Sequence, residues 1–120
     1  MPRILIADNS VVVLHAIRSL LASTDLEVVG EAQDFPETFK QAGELRPDAI
    51  VIGMNLKHAD SETDALAKLA LDCQCPIIAT SFAVDDAASQ LAAKLGAARL
   101  LDKTQLSETL IPAIREVVER

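Results

Sequence analysis

The stretch that decides the fold of this chain is Arg46-Pro47-Asp48-Ala49-Ile50-Val51-Ile52-Gly53-Met54-Asn55. Its central apolar run is too short for a helix and lies between a proline and a glycine, which is typical of a buried strand in a parallel sheet. Because Pro47 cannot donate a hydrogen bond to a strand ladder, we expect the strand to begin near Ala49 and to end at Gly53. In open α/β sheets, ligands bind where the central strands end, and here that position has no side chain.

Four other short apolar runs alternate with segments of helical periodicity. The predicted strands are Arg3–Ala7, Glu27–Ala32, Ala49–Gly53, Pro76–Ser81 and Ala98–Asp102. Five strands that alternate with five helices indicate a parallel sheet with helices on both faces. We therefore predict an α/β fold in which residues 1–120 form one domain, either complete or part of a longer protein.

Each predicted helix has its own signature. The first carries one apolar face, formed by Val13, Ala16, Ile17, Leu20 and Leu21. The second begins at the N-cap Asp34, and the third opens at Ser61-Glu62-Thr63-Asp64. The fourth has a stripe that Gly96 closes, formed by Val84, Ala87, Ala88, Leu91 and Leu95. The fifth has a stripe formed by Leu106, Leu110, Ala113, Ile114 and Val117.

Composition and charge argue against several classes of function. The formal net charge of −7 disfavours a nucleic-acid surface, which needs clustered Lys and Arg. The apolar runs are far shorter than the ~20 residues of a membrane span, and the N-terminus lacks a signal-peptide pattern, so we expect a cytoplasmic protein. Cys73 and Cys75 have no partner at zinc-ligand spacing, so we expect reduced, half-buried thiols.

Polar residues follow three of the predicted strands, at the edge of the sheet where parallel strands end. Asp8 and Asn9 follow the first strand, Ser81 ends the fourth, and Lys103 follows the fifth. Gly53 ends the third strand at the same edge. We expect these five residues to lie close together, at the position where α/β sheets bind ligands.

The order and spacing of these residues resemble the receiver domain of bacterial two-component response regulators, along essentially the whole chain. The matching segments are Arg3-Ile4-Leu5-Ile6-Ala7-Asp8, Val28-Val29-Gly30-Glu31-Ala32, Arg46-Pro47-Asp48, Pro76-Ile77-Ile78 and Gly96-Ala97, followed by Lys103. The resemblance implies a flavodoxin-like sheet of five parallel strands in the order 2-1-3-4-5.

The resemblance also implies a chemistry for the strand ends. In that family, two acidic residues after the first strand bind Mg²⁺ together with an aspartate at the end of the third strand, which accepts a phosphoryl group from a histidine kinase. A hydroxyl and a lysine hold the phosphoryl oxygens, and these positions fall on Ser81 and Lys103. Asp8 matches the first acidic position, whereas Asn9 occupies the second. Gly53 falls on the phosphoacceptor.

Glycine has no nucleophile, so the family's phosphorylation cannot be carried over. We therefore interpret the chain as an atypical or pseudo-receiver domain, in which Leu100 also replaces the aromatic switch residue of the fifth strand. Because Asn9 and Gly53 replace two carboxylates, we expect no bound cofactor. For Asp8 we favour a structural role, capping the first helix and pairing with Lys103, over Mg²⁺ binding.

The leading hypothesis is a phosphorylation-independent module that binds a protein partner or a second copy through the face made by the fourth helix, the fifth strand and the fifth helix. The resemblance is closest to receivers fused to helix-turn-helix domains, which suggests a parent chain that regulates transcription. The domain itself is expected to bind neither nucleic acid nor membrane. The alternative is a small-molecule or anion sensor that uses the pocket at Gly53, with Lys103 attracting the ligand. An enzyme is the weakest hypothesis, because no Gly-rich phosphate loop or nucleophile-base pair is evident.

Overall fold

The computed structural model describes residues 2–54, 75–82, 85–94 and 96–118, apart from the side chains of Phe35, Leu91 and Lys94. Its strands are β1 (Arg3–Ala7), β2 (Glu27–Ala32), β3 (Ala49–Gly53), β4 (Ile77–Ser81) and β5 (Arg99–Asp102). Its helices are α1 (Val11–Leu21), α2 (Phe35–Leu45), α3 (Asp86–Lys94) and α4 (Leu106–Val118), and a 3-10 turn spans Lys103–Gln105. Helices α3 and α4 are therefore the fourth and fifth predicted helices. The predicted third helix lies outside the described residues.

The five strands form one parallel sheet in the order β2-β1-β3-β4-β5, which confirms the predicted fold class and strand order. Strand β3 lies at the centre, between β1 and β4, and all of its residues are buried. It has the predicted bounds, because Pro47 precedes the ladder and only apolar side chains follow until Gly53. Strands β4 and β5 each begin one residue later than predicted.

Apolar layers cover both faces of the sheet. The layer shared with α1 and α4 contains the strand residues Ile4, Ile6, Val51 and Ile78. The layer on the face covered by α2 contains Leu5, Ala7, Ile50 and Ile52. Successive residues of a strand thus enter opposite layers, as the pleat requires. Because a fully buried Ile or Leu side chain contributes about 1.5–3 kcal/mol, these layers hold the strand ends in fixed positions.

Helix α1 faces the sheet with a narrower stripe than predicted. Its buried residues are Leu14, Ile17 and Leu21. Val13 and Leu20 are half-buried, and Ala16 is exposed. The prediction was wrong about Ala16 and missed Leu14, because an apolar stripe of this width can dock with the helix in more than one rotation. The less buried side of the stripe lies beside the start of α4.

The stripe predicted for α4 is confirmed, since all five of its residues are buried. In α3 the buried alanine is Ala92, whereas Ala87, which we expected to face inward, is exposed. Ala88 of the predicted stripe is half-buried, whereas Val84, Leu95 and the side chain of Leu91 lie outside the described residues. None of the helices in the described ranges is long and apolar enough to cross a membrane.

The ends of α2 and α3 are capped as predicted. The Asp34 carboxylate accepts a hydrogen bond from the Glu37 backbone N–H at 2.9 Å. After α3, Gly96 has a φ of 79°. The N–H groups of Gly96 and Ala97 donate back to carbonyls of the last turn of α3. This arrangement is a Schellman motif, which favours glycine at its left-handed position.

Candidate functional site

The carboxyl edge of the sheet collects the residues that the sequence predicted there. Asp8 and Asn9 lie between β1 and α1, and Gly53 is the last residue of β3. Ser81 is the last residue of β4, and Lys103 is the first residue after β5. Asp8, Gly53 and Lys103 are buried, whereas Asn9 and Ser81 are half-buried.

Asp8 and Lys103 form a buried ion pair at this edge. Lys103 Nζ lies 2.7 Å from Asp8 Oδ2, and the side chains are 2% and 0% exposed. The other carboxylate oxygen, Oδ1, accepts a hydrogen bond at 2.9 Å from the backbone N–H of Ser10, the N-cap of α1. The predicted contact with Lys103 is therefore present. The predicted capping of α1 by Asp8 is wrong, because Ser10 is the N-cap and its hydroxyl accepts a hydrogen bond from the Val13 N–H at 3.3 Å.

A hydrogen-bonded turn after β5 positions Lys103. The Asp102 carboxylate accepts hydrogen bonds from the Thr104 backbone N–H at 2.8 Å and from the Thr104 hydroxyl at 2.7 Å. These two bonds hold the pKa of Asp102 below its ordinary value, because they stabilise the charged carboxylate. The turn directs the Lys103 side chain back over the end of the sheet, where Asp8 lies.

The donor set at this edge does not fit the divalent ion that the resemblance implies. Mg²⁺ requires oxygen ligands in near-octahedral geometry. Here the Asp8 carboxylate already contacts Lys103 Nζ and the Ser10 N–H. Within the described ranges, no group of three or more His, Cys, Asp or Glu side chains is placed to hold a metal ion. A divalent ion bound to Asp8 would also lie close to the Lys103 ammonium, whose like charge opposes it.

Thr80 is a buried hydroxyl that sequence reasoning missed. It pairs with Gly53 in the β3–β4 register, so its side chain lies on the face of the sheet where residue 53 has none. Thr80 is 0% exposed. Its Oγ1 has no hydrogen-bond partner in the part of the chain that the structure describes. The strand register would have revealed this pair, but a register is not visible in a single sequence.

The aromatic ring of Phe82 also lies beside the Lys103 ammonium. The Lys103 ammonium lies 5.0 Å from the centroid of the Phe82 ring, within the range of a cation–π contact. Phe82 itself is 65% exposed. Sequence reasoning did not place this aromatic residue at the site, because it lies beyond the last residue of β4 in a short apolar run.

The other residues singled out from the sequence lie away from this ion pair. Leu100 is half-buried in β5, where it pairs with Ala79. His15 is exposed on α1. Cys75 is half-buried, as expected. Cys73 and His58 lie outside the described residues.

The fold and the residues at its carboxyl edge are those of a domain of two-component signalling. The family model for the response regulator receiver domain matches residues 4–115. The chain belongs to the response regulator receiver domain family. The resemblance to receiver domains that the sequence indicated is thereby confirmed.

Two curated relatives illustrate the similarity. Protein-glutamate methylesterase/protein-glutamine glutaminase 1 of Methanosarcina acetivorans is 31% identical over 121 residues, which cover 98% of this chain and 34% of that protein. Transcriptional regulatory protein LiaR of Bacillus subtilis is 32% identical over 118 residues, which cover 96% of this chain and 55% of that protein. The chain thus spans between about a third and just over half of the length of these relatives.

Solved structures have the same fold. The response regulator domain of Thermotoga maritima CheB matches with a TM-score of 0.88 at 23% identity, covering 100% of this chain and 98% of that one. The signal receiver domain of a modulated diguanylate cyclase from Desulfovibrio desulfuricans matches with a TM-score of 0.87 at 26% identity, covering 99% of this chain and 94% of that one. These matches establish the receiver fold along the chain.

Proposed function

We propose that this receiver domain works without phosphorylation, as a pseudo-receiver that binds a protein partner. The observation that carries the proposal is the Asp8–Lys103 ion pair, which is almost completely buried. The resemblance assigns Lys103 to the phosphoryl group and Gly53 to the phosphoacceptor. In this chain the lysine charge is balanced by Asp8, and Gly53 supplies no nucleophile.

The ion pair fixes the carboxyl edge in one arrangement. Separating two charges that are buried to this degree is strongly unfavourable, because each would remain unpaired in a low-dielectric interior. A phosphorylated receiver is switched between two arrangements by the phosphoryl group. In this chain the same lysine is paired with Asp8, so neither a phosphoryl group nor Mg²⁺ is needed to hold one arrangement.

The proposed binding face consists of α3, β5 and α4. Strand β5 is the last in the sheet order, so its outer edge presents backbone groups to a partner. Leu100 is half-buried on this strand, and Arg99 forms an exposed ion pair with Glu116 of α4. We propose that a protein partner or a second copy of the chain binds there. Because LiaR is a transcriptional regulatory protein, we also propose a parent chain that regulates transcription.

The experiment immobilises the wild-type chain and Leu100→Arg and compares the proteins that each retains from a cell lysate. Each chain is tested before and after treatment with acetyl phosphate and Mg²⁺. We expect a protein that the wild type retains equally under both conditions and that Leu100→Arg loses. The control is Lys40→Ala, which changes an exposed residue of α2 on another face. Retention that requires acetyl phosphate would contradict the proposal.

A second candidate function is small-molecule sensing at the Gly53 position. The buried Thr80 hydroxyl, which has no partner in the described ranges, favours this candidate because a buried polar group without a partner is costly. Because Lys103 is paired with Asp8, an anionic ligand would have to compete with that carboxylate for the lysine. Thermal melting with phosphate, sulfate and acetate tests it: a saturable rise in Tm that Thr80→Val abolishes would support sensing, and no rise would exclude these ligands.

A further inference from the structure

Two buried side-chain oxygens at the carboxyl edge of the sheet have no hydrogen-bond partner in the described ranges. They are Asp8 Oδ2, which has the charge contact with Lys103 Nζ, and Thr80 Oγ1. Both residues are 0% exposed. Because a buried hydroxyl without a partner is costly, such groups in folded proteins bond to protein atoms or to ordered water. Two such oxygens at one edge of the sheet point to a partner that they share.

The strand register places these two residues on opposite sides of Gly53. Ala7 pairs with Ile52, so Asp8 lies beside Gly53 on the β1 side. Gly53 pairs with Thr80 on the β4 side. The residue between the two oxygens is therefore the one that has no side chain.

The three positions belong to the same face of the sheet. The Asp8 N–H donates to the Ala32 carbonyl at 3.0 Å, so the β1 ladder continues through Asp8. Side chains two residues apart on a strand face the same side of the sheet. The residues two positions before Asp8, Gly53 and Thr80 all lie in the apolar layer shared with α1 and α4: Ile6, Val51 and Ile78. The Asp8 and Thr80 side chains therefore flank the place that a side chain of residue 53 would take.

The spacing of the strands suits one small molecule at this place. Adjacent strands are about 4.8 Å apart, so the backbones of Asp8 and Thr80 lie about 10 Å apart. Two hydrogen bonds through one small molecule span about 5–6 Å, and the two side chains cover the remainder. A water molecule takes up about 30 Å³ and makes two to four hydrogen bonds in protein interiors, so it is close in size to one small side chain.

The charges around this place decide what it can bind. The Asp8 carboxylate and the Lys103 ammonium are paired, Thr80 is uncharged and Gly53 has no side chain. An ion bound there would be a third buried charge without a counter-charge of its own, which is strongly unfavourable. A carboxylate oxygen can only accept a hydrogen bond, whereas a hydroxyl can donate one. An uncharged molecule that donates one hydrogen bond and accepts another therefore satisfies both oxygens.

We propose that one small uncharged molecule, water in plain buffer, is bound over Gly53. It donates a hydrogen bond to Asp8 Oδ2 and accepts one from the Thr80 hydroxyl, and it thereby links β4 to the ion pair. The inference deepens the second candidate function and rests on it for the place of the site. A signal molecule that displaces the water must be uncharged and must make the same two hydrogen bonds.

The first test is the sign of the stability change in Thr80→Val, measured by urea unfolding of the 120-residue chain. If the Thr80 hydroxyl is bonded to the bound molecule, valine loses that bond and the equilibrium constant for unfolding rises about fivefold. If the hydroxyl is unpaired, valine removes a costly buried group and the constant falls. We expect the rise. A fall would overturn the inference.

Thr38→Val is the matched control. Thr38 is also 0% exposed, and its hydroxyl donates to the Asp34 carbonyl at 2.7 Å. This variant therefore removes a buried hydroxyl whose partner is known. We expect Thr80→Val and Thr38→Val to raise the unfolding constant by similar factors.

Gly53→Ala tests the place of the bound molecule. The φ of Gly53 is not in the left-handed region, so the backbone accepts alanine, and the added methyl occupies the proposed site. When Thr80→Val is combined with Gly53→Ala, we expect it to leave the unfolding constant unchanged or to lower it. An equal rise with and without Gly53→Ala would overturn the inference.

A second measurement needs only the folded wild-type chain. Nuclear Overhauser cross-peaks between water and both the Thr80 methyl and the Gly53 N–H are expected, with the sign of a long-lived bound water, and their absence would also overturn the inference. Neither measurement uses a protein partner or acetyl phosphate. A failure here therefore leaves the proposed partner binding standing, and partner retention that requires acetyl phosphate would contradict that function without changing these results.

Discussion

Lys103 Nζ and Asp8 Oδ2 lie 2.7 Å apart with their side chains almost completely buried, and they join the turn after β5 to the start of α1. Gly53 ends the central strand at the same edge, where the resemblance places the phosphoacceptor. The two opposite charges balance each other. The lysine that the resemblance assigns to the phosphoryl group is therefore paired with Asp8 in this structure.

The first prediction concerns the contribution of the Asp8–Lys103 ion pair to the stability of the fold. Asp8→Asn removes the carboxylate charge and leaves the Lys103 ammonium buried without a counter-charge, so we expect the free energy of unfolding to fall by about 3–5 kcal/mol. The chain contains no Trp or Tyr, so urea unfolding should be followed by far-ultraviolet circular dichroism. The matched control is Arg115→Ala, which removes an exposed ion pair with Asp25 and should lower stability by less than about 1 kcal/mol. Equal losses for the two variants would contradict the account.

The second prediction concerns a restored nucleophile. In Gly53→Asp, a new carboxylate would lie beside Thr80 at the carboxyl edge and compete with Asp8 for Lys103. Asp8 would then be released to contact a divalent ion. After incubation with acetyl phosphate and Mg²⁺, we expect intact-mass spectrometry to find a phosphoryl adduct on Gly53→Asp and none on the wild type or on Gly53→Ala. An adduct on the wild type would refute the pseudo-receiver assignment.

The third prediction concerns the packing of α2 on the sheet. An added Cβ at Gly30 of β2 would lie 2.2 Å from Gln41 Oε1 and 2.8 Å from Leu45 Cδ1, both on α2. Gly30→Ala should therefore lower the free energy of unfolding by about 1 kcal/mol, since the ends of the Gln41 and Leu45 side chains must move and the Gln41 hydrogen bond to the Glu31 carbonyl is disturbed. The control is Gly43→Ala on the exposed side of α2, where an added Cβ meets nothing within 4 Å. Gly43→Ala should raise the free energy of unfolding by about 0.5–1 kcal/mol. Chemical unfolding is therefore expected to show changes of opposite sign for the two variants.

The fourth prediction concerns acid sensitivity. Hydrogen bonds from Thr104 lower the pKa of Asp102, and a hydrogen bond from Arg115 lowers the pKa of Asp25, both from an ordinary value of 3.8. A carboxyl group whose pKa is lower in the folded state stabilises the fold above its unfolded pKa, and that contribution is lost as the pH falls through the folded pKa. We therefore expect stability to fall below about pH 4.

Thr104→Val separates the Asp102 contribution from the rest. It removes the hydroxyl donor but keeps the backbone N–H, so the pKa of Asp102 should move up toward its ordinary value. Carboxyl ¹³C shifts measured against pH report this value directly. An unchanged Asp102 titration in Thr104→Val would show that the hydroxyl bond does not form in solution.

The strands and their order could be predicted because their signals are local. An apolar run between Pro47 and Gly53 specifies a buried strand, and the alternation of strands with helices leaves few topologies. The convergence of Asp8 and Lys103 followed from the same reasoning, since the ends of parallel strands share one edge. The sequence left open whether Asp8 binds a metal or a lysine, and the 2.7 Å contact with Lys103 favours the lysine.

The features that the sequence did not predict depend on the rotation of helix α1, on the register of the strands and on the path of the chain after β4. The rotation of α1 decides that Leu14 is buried and that Ala16 is exposed, and this rotation is set by packing against α4. The pairing of Thr80 with Gly53 depends on the strand register, which apolar runs do not specify. The position of Phe82 over Lys103 depends on the path of the chain after β4.

The most direct test of the central claim is titration of the wild-type chain with Mg²⁺ and beryllium fluoride, a mimic of the phosphoryl group, followed through backbone amide shifts of Asp8, Gly53, Ser81 and Lys103. The account predicts no saturable shift at these positions, because Lys103 is held by Asp8 and Gly53 offers no carboxylate. Saturable shifts at Gly53 and Lys103 that extend to Leu100 would contradict it, since they would show a site that still binds the phosphoryl mimic and transmits the change to β5.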